Sequence, residues 1–148
     1  MSVTTRIASD SDLPFLCEVD KHVSHEVQAD LVSLGRVMVA EVDGVTVGCL
    51  RWGMFWDELP FMNLLWVVSE RRGQGVGTTL VQAWERSQVA DGHTTVLTST
   101  VSAETAQHFY RLLGYVDSGA LFLPEEPTEI ILRKPLRSDR AADQDRGW

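Results

Sequence analysis

Apolar and polar positions fall into short blocks closed by turn residues, and their period switches between the two of a strand and the roughly 3.6 of a helix. Residues 2–7 have period-two character and run into Ala8-Ser9-Asp10-Ser11-Asp12, a cluster of helix N-cap residues followed by Pro14, which a first helical turn tolerates. A strand and then a helix are expected. Leu13, Leu16 and Val19 share one helical stripe, and Val23, Val27, Leu31 and Leu34 form a second that closes at Gly35, so two short helices follow. Val37–Val42 and residues 45–52 are β-branched runs joined by Asp43-Gly44, the dipeptide that supplies the positive φ angles of a type I′ hairpin turn.

The second half contains two strand-to-helix units and no internal repeat. Residues 61–68 are almost unbroken apolar sequence, which suits a central strand covered on both faces. Residues 69–75 carry two arginines and two glycines, and from Val76 an amphipathic helix turns Val76, Leu80, Val81 and Trp84 inward until Asp91-Gly92. Residues 94–101 read as a β-branched strand, after which Ser102 is expected to cap a helix with Ala106, Phe109, Tyr110 and Leu113 on one face before Gly114. Residues 115–123 and 129–133 form a closing antiparallel pair around Pro124-Glu125-Glu126-Pro127. The pattern is that of one mixed α/β domain over residues 1–135, with residues 136–148 a polar, flexible tail.

Composition narrows the function. At 148 residues the chain has the length of one compact domain, and 13 basic against 21 acidic residues give a net charge of −8. That sign disfavours nucleic acid, whose binding needs phosphates neutralised, and leaves open a cationic partner. Cys17 and Cys49 lie far apart with no zinc spacing, and His22, His25 and Glu26 lack a third ligand at matching distance, so reduced thiols and no metal are expected. The N-terminus lacks a signal-peptide pattern and no run is long enough for a membrane span, which points to the cytoplasm. A homodimer is compatible with all of this.

The chemistry concentrates in Arg71-Arg72-Gly73-Gln74-Gly75-Val76-Gly77-Thr78, between a buried strand and a helix start. Unpaired amides and the positive end of the helix dipole favour an anion there, and a diphosphate can accept several main-chain hydrogen bonds. The glycines by themselves are equally compatible with a tight turn flanked by solvated arginines. Thr78 takes the last glycine position of a dinucleotide fingerprint, and no lysine precedes Thr78 or Thr79 as a nucleoside triphosphatase loop requires.

Arg72-Gly73-Gln74-Gly75-Val76-Gly77 resembles the [RQ]-x-x-G-x-[GA] hallmark of the GNAT superfamily of acetyl-CoA-dependent N-acetyltransferases. Ala106-Gln107-His108-Phe109-Tyr110-Arg111-Leu112-Leu113-Gly114-Tyr115 is similar to that family's following helix motif, with Ala103 where its asparagine stands. The resemblance implies a mostly antiparallel sheet of about six to seven strands, splayed between the fourth and fifth, with about four helices. It implies that backbone groups of Leu65, Trp66 and Val67 pair with pantetheine and that Arg72, Gly73, Gln74, Gly75, Val76, Gly77 and Thr78 hold the diphosphate. An amide near the strand's end would polarise the thioester carbonyl, and Tyr110 would protonate the leaving thiolate unless it serves only the core.

A base is harder to find, because residues 61–68 and 94–101 contain no Asp or Glu. Asp57 and Glu58 are the nearest carboxylates, with Glu58 the nominated base; solvated loop positions, or a chain of waters, are the alternatives. His108 reads as an outward helix residue. Trp52, Phe55, Trp56 and Phe61, with Asp57, Glu58, Glu125 and Glu126, suggest an aromatic and acidic wall for a cationic primary amine. The expected activity is direct acetyl transfer to an amine of a small molecule or peptide. The alternatives are a non-catalytic acyl-CoA-binding module and a protein-interaction domain.

Overall fold

A computed structural model describes residues 1–137 and divides into two compact units, Met1–Trp84 and a second beginning at Glu85. The first unit contains β1 (Val3–Ile7), α1 (Leu13–Val19), α2 (His25–Ser33), β2 (Val37–Val42), β3 (Val45–Phe55), β4 (Leu59–Val67) and the start of α3 (Val76–Ala90). The second contains β5 (Thr95–Val101), α4 (Ala106–Leu112), β6 (Val116–Leu121) and β7 (Glu129–Pro135). This is a mixed α/β fold with antiparallel strand pairs, in the order β1-β2-β3-β4 in the first unit and β5-β7-β6 in the second. Residues 138–148 of the expected tail lie outside the described residues, whereas Leu136 is buried and its amide donates to Thr94 O at 2.8 Å.

The hairpin of β2 and β3 forms as its turn chemistry dictates: Asp43 and Gly44 have φ of 52° and 75°. β3 runs three residues beyond the expected end, to Phe55, because a second tight turn with Trp56 at φ 56° and Asp57 at φ 60° returns the chain into β4. The α3 stripe is also as expected, with Val76, Leu80, Val81 and Trp84 all buried. Close packing there depends on Gly48: a Cβ at this position would meet Trp66 O at 3.0 Å and Leu80 Cδ1 at 3.2 Å.

Three expectations are corrected. In α2 the inward positions are Gln28 and Val32, while Val27 and Leu34 are exposed, because Gln28 Nε2 donates to the buried Asp20 carboxylate at 3.2 Å. The same carboxylate accepts from Arg51 Nε at 2.7 Å, so a polar cluster, rather than an apolar stripe, sets the rotation of the helix. Ser102 does not cap α4; Thr105 occupies the N-cap, and residues 102–105 form a turn in which Gln107 Nε2 donates to Ser102 O at 2.9 Å. Finally, residues 61–68 are less covered than expected: Met62 is buried, but Asn63 is exposed and Leu64, Leu65, Trp66, Val67 and Val68 are half-buried.

Candidate active site

β4 leads directly into the glycine loop. The pairing of Arg51 with Leu64 and of Trp52 with Met62 leaves Asn63 as an extra residue on β4, a bulge that re-aims the strand. Beyond it Leu64 and Trp66 pack towards α1 and α2, with Phe15 edge-on to Trp66 at 6.0 Å. After Val67 the chain makes a 3-10 turn, Ser69–Arg71, where plain loop was expected. Arg72 Nε then donates to Val67 O at 2.9 Å and Gln74 Nε2 to Glu70 O at 3.0 Å, tying the loop back onto the strand end.

Gly73 and Gly75 have φ of 72° and 87°, a left-handed backbone in which side chains are strained, and no atom lies within 4 Å of where a Cβ would stand on either. The loop is therefore left-handed and open on its outer side. Thr79 N donates to Gly75 O at 3.0 Å as the first bond of α3, and its hydroxyl donates to the same oxygen at 2.8 Å. The amides of Val76, Gly77 and Thr78 precede that ladder, and with the helix dipole they make an anion cradle. Arg72, Gly73, Gln74, Gly75, Val76, Gly77 and Thr78 thus follow Leu65, Trp66 and Val67 within one unit.

Glu58 lies at the opposite end of β4, in the exposed turn where its amide donates to Phe55 O at 3.0 Å. Nine residues of strand separate it from the loop, roughly 30 Å at about 3.3 Å per residue. Of the aromatic wall, Phe55 packs with Trp56 at 4.6 Å and with Phe61 at 6.1 Å beside Asp57, whereas Trp52 turns to Trp84 at 6.4 Å and belongs to the core. Glu125 and Glu126 are exposed in the turn between β6 and β7. His108 is exposed on α4, and His25 opens α2 behind its Ser24 cap. Among the described residues, no helix is long and apolar enough to cross a membrane.

Tyr110, in the second unit, is buried on α4 with its ring edge-on to Tyr115 at 5.6 Å and to Phe109 at 5.2 Å. Burial pushes its phenol up to about 12, against a smaller opposing effect of the hydrogen bond to the Thr98 side chain. The phenol therefore stays protonated through the physiological range. Sequence reasoning missed the group behind it. Tyr115 donates its hydroxyl to Glu85 Oε2 at 2.8 Å, and Lys134 Nζ donates to Glu85 Oε1 at 2.8 Å. The signal was present: Glu85 follows Trp84 and lies four residues after Val81, on the inward stripe of α3.

The acetyltransferase (GNAT) domain matches residues 33–117, more than half of the chain. No curated relative matches the chain by sequence. Solved structures share its fold. Ard1 from Thermoplasma volcanium aligns with a TM-score of 0.81 at 18% identity, covering 93% of this chain and all of its own. The PaiA N-acetyltransferase of Thermoplasma acidophilum, in complex with coenzyme A, aligns at 0.77 with 16% identity, covering 91% of this chain and 99% of that one. Arabidopsis thaliana Naa50, bound to the bisubstrate analogue CoA-Ac-MVNAL, aligns at 0.74 with 16% identity over 90% and 99% of the two chains. The domain match, the shared fold and the glycine loop between β4 and α3 lead to one conclusion: the chain belongs to the GNAT acetyltransferase family.

Proposed function

We propose that the chain transfers an acetyl group from acetyl-CoA directly to a primary amine of a small molecule or peptide, with residues 1–135 as a single catalytic domain. The observation that carries this reading is the open left-handed glycine loop at the start of α3, whose backbone disfavours side chains and whose outer side is free to take a diphosphate. Coenzyme A in the complex of the similarly folded PaiA, and the bisubstrate analogue CoA-Ac-MVNAL in that of Naa50, support it. Bound acetyl-CoA supplies a thioester whose acyl carbon is electrophilic and whose sulfur leaves as thiolate.

The remaining steps belong to the protein. Amides from Gly73 to Thr78 hold the diphosphate, with Arg72 fixed beside it by Val67 O. Main-chain groups of Leu65, Trp66 and Val67 pair with the pantetheine arm in the manner of an added strand, and the half-buried side chains of that segment receive its apolar surface. Tyr110 gives its phenolic proton to the leaving sulfur. Glu58, alone or through water, takes the proton of the attacking amine. The cluster of Phe55, Trp56 and Asp57 receives a cationic acceptor through ring faces and carboxylate.

We assign the protein to the cytoplasm, in keeping with Cys17 and Cys49 as free thiols. The test is thiol release from acetyl-CoA in the presence of a panel of amines, amino acids, aminoglycosides and peptides. Turnover with cationic amines is the expected result. Binding of acetyl-CoA without turnover across the panel would leave only a non-catalytic acyl-CoA module, and turnover confined to uncharged acceptors would remove the cationic assignment.

A further inference from the structure

Glu85 is a carboxylate on the inward stripe of a core helix, 7% exposed, at a position where an apolar residue would be expected. A buried charge that merely filled space would be replaced without loss by a hydrophobic side chain, so its partners define its use. They are two: Tyr115 Oη, at 2.8 Å from one carboxylate oxygen, and Lys134 Nζ, at 2.8 Å from the other. Lys134 also lies 5.8 Å from the centre of the Tyr115 ring, so the aromatic is held from its hydroxyl and over its face together. The backbone closes a third constraint, since Tyr115 N donates to Tyr110 O at 3.1 Å.

Tyr115 is thus pinned at both ends, and its ring stands edge-on to Tyr110. A phenol that donates a proton to a leaving sulfur must be aimed, because hydrogen bonding and proton transfer fall off steeply with misorientation. The Tyr110 phenol is hydrogen-bonded with the Thr98 side chain, and its ring packs edge-on against Phe109 and Tyr115. We infer that Tyr115, anchored by Glu85 and Lys134, is a positioning residue that sets the orientation of the Tyr110 phenol for acetyl transfer. The inference rests on the proposed role of Tyr110 as proton donor and assigns the Glu85–Tyr115–Lys134 group a purpose beyond packing.

The test is a double-mutant cycle between Tyr115→Phe and Tyr110→Phe, read as kcat and KM for acetyl-CoA. Removing the Tyr115 hydroxyl keeps the ring and the Glu85–Lys134 pair, and is expected to lower kcat roughly tenfold with KM for acetyl-CoA unchanged. In the Tyr110→Phe background the same substitution is expected to cost nothing further, because there is no phenol left to aim. Glu85→Gln keeps an acceptor for Tyr115 and is expected to retain most of kcat, whereas Glu85→Leu loses it. An equal fold loss from Tyr115→Phe in both backgrounds, or wild-type kcat in Tyr115→Phe, would overturn the inference while leaving Tyr110 as donor. Wild-type turnover by Tyr110→Phe alone would instead remove the donor assignment and the inference with it.

Discussion

Asp20 and Arg51, 31 positions apart, meet in the interior at 2.7 Å between Oδ2 and Nε, with the Asp20 side chain wholly buried and that of Arg51 8% exposed. The pair fastens the segment between α1 and α2 to β3, at the residue where the β4 bulge begins. Asp20 also accepts from Gln28 Nε2 and, through its other oxygen, from the His22 amide at 3.2 Å, so every part of the carboxylate is engaged. Removing one partner of such a pair strands the other charge in a low-dielectric interior. Asp20→Ala is expected to destabilise the fold by about 3–5 kcal/mol, measured by urea denaturation. A loss under about 1 kcal/mol would show that the site readily admits water.

The anion loop gives a sharper expectation. Gly75→Glu places a carboxylate where the diphosphate is proposed to lie, on a backbone at φ 87° that tolerates no Cβ without strain. Because nothing occupies the space around that Cβ, the cost to folding is limited to about 1–2 kcal/mol of conformational strain. Acetyl-CoA binding, followed by calorimetry, is expected to vanish while the circular dichroism spectrum is retained. Unchanged affinity would contradict the assigned cradle.

Tyr110→Phe is expected to lower kcat by roughly 10²-fold or more with little change in the Kd for acetyl-CoA, the mark of an interaction made in the transition state. The sign of the pH dependence follows from burial. With its phenol pushed up to about 12, Tyr110 stays protonated well above the ordinary tyrosine value of 10.0. Turnover is therefore expected to rise with pH as the amine loses its proton and to show no fall attributable to Tyr110 below about pH 11. A descending limb centred near pH 9 that disappears in the phenylalanine variant would assign Tyr110 a much lower value.

Acid stability depends on a second, part-buried group. Asp12 accepts from Arg6 Nη1 at 2.7 Å and Nη2 at 2.9 Å, and from the Ser9 amide at 2.8 Å. The Arg6 guanidinium, foremost among these, holds the carboxyl below its ordinary 3.8. The folded state then binds the proton less readily than the unfolded chain, so the stabilisation is complete above the unfolded value and is lost as pH falls through the folded one. Thermal midpoints measured from pH 5 downward are expected to fall less steeply in Asp12→Asn than in the wild type. Parallel slopes would remove Asp12 from the acid transition.

What the sequence disclosed was local. Asp43-Gly44 specified its hairpin because two positive φ angles suit few other dipeptides, and the inward stripe of α3 followed from spacing alone. The glycine loop was legible because strand, glycines and helix are contiguous. Contacts over long separations were hidden. Gln28 turned inward at the expense of Val27 because of Asp20 and Arg51, and nothing near Gln28 announces either partner as such. Glu85 finds Tyr115 and Lys134 at separations of 30 and 49 residues. The start of β4 was missed because a three-residue turn at Trp56-Asp57-Glu58 uses left-handed non-glycine residues, which carry a weaker signal than Asn-Gly or Asp-Gly.

Gly48 has a bearing on evolution as well as on packing. Its missing methyl group is what lets the first turn of α3 rest against the strand beneath, and the mouth of that helix is also the proposed ligand cradle. Any descendant that acquires alanine there must shift the carbonyl of Trp66 by a few tenths of an ångström, and that carbonyl belongs to the segment proposed to pair with the pantetheine arm. Selection for affinity would then police a position that touches no ligand, and drift at this buried spot would register first as weakened cosubstrate capture rather than as unfolding.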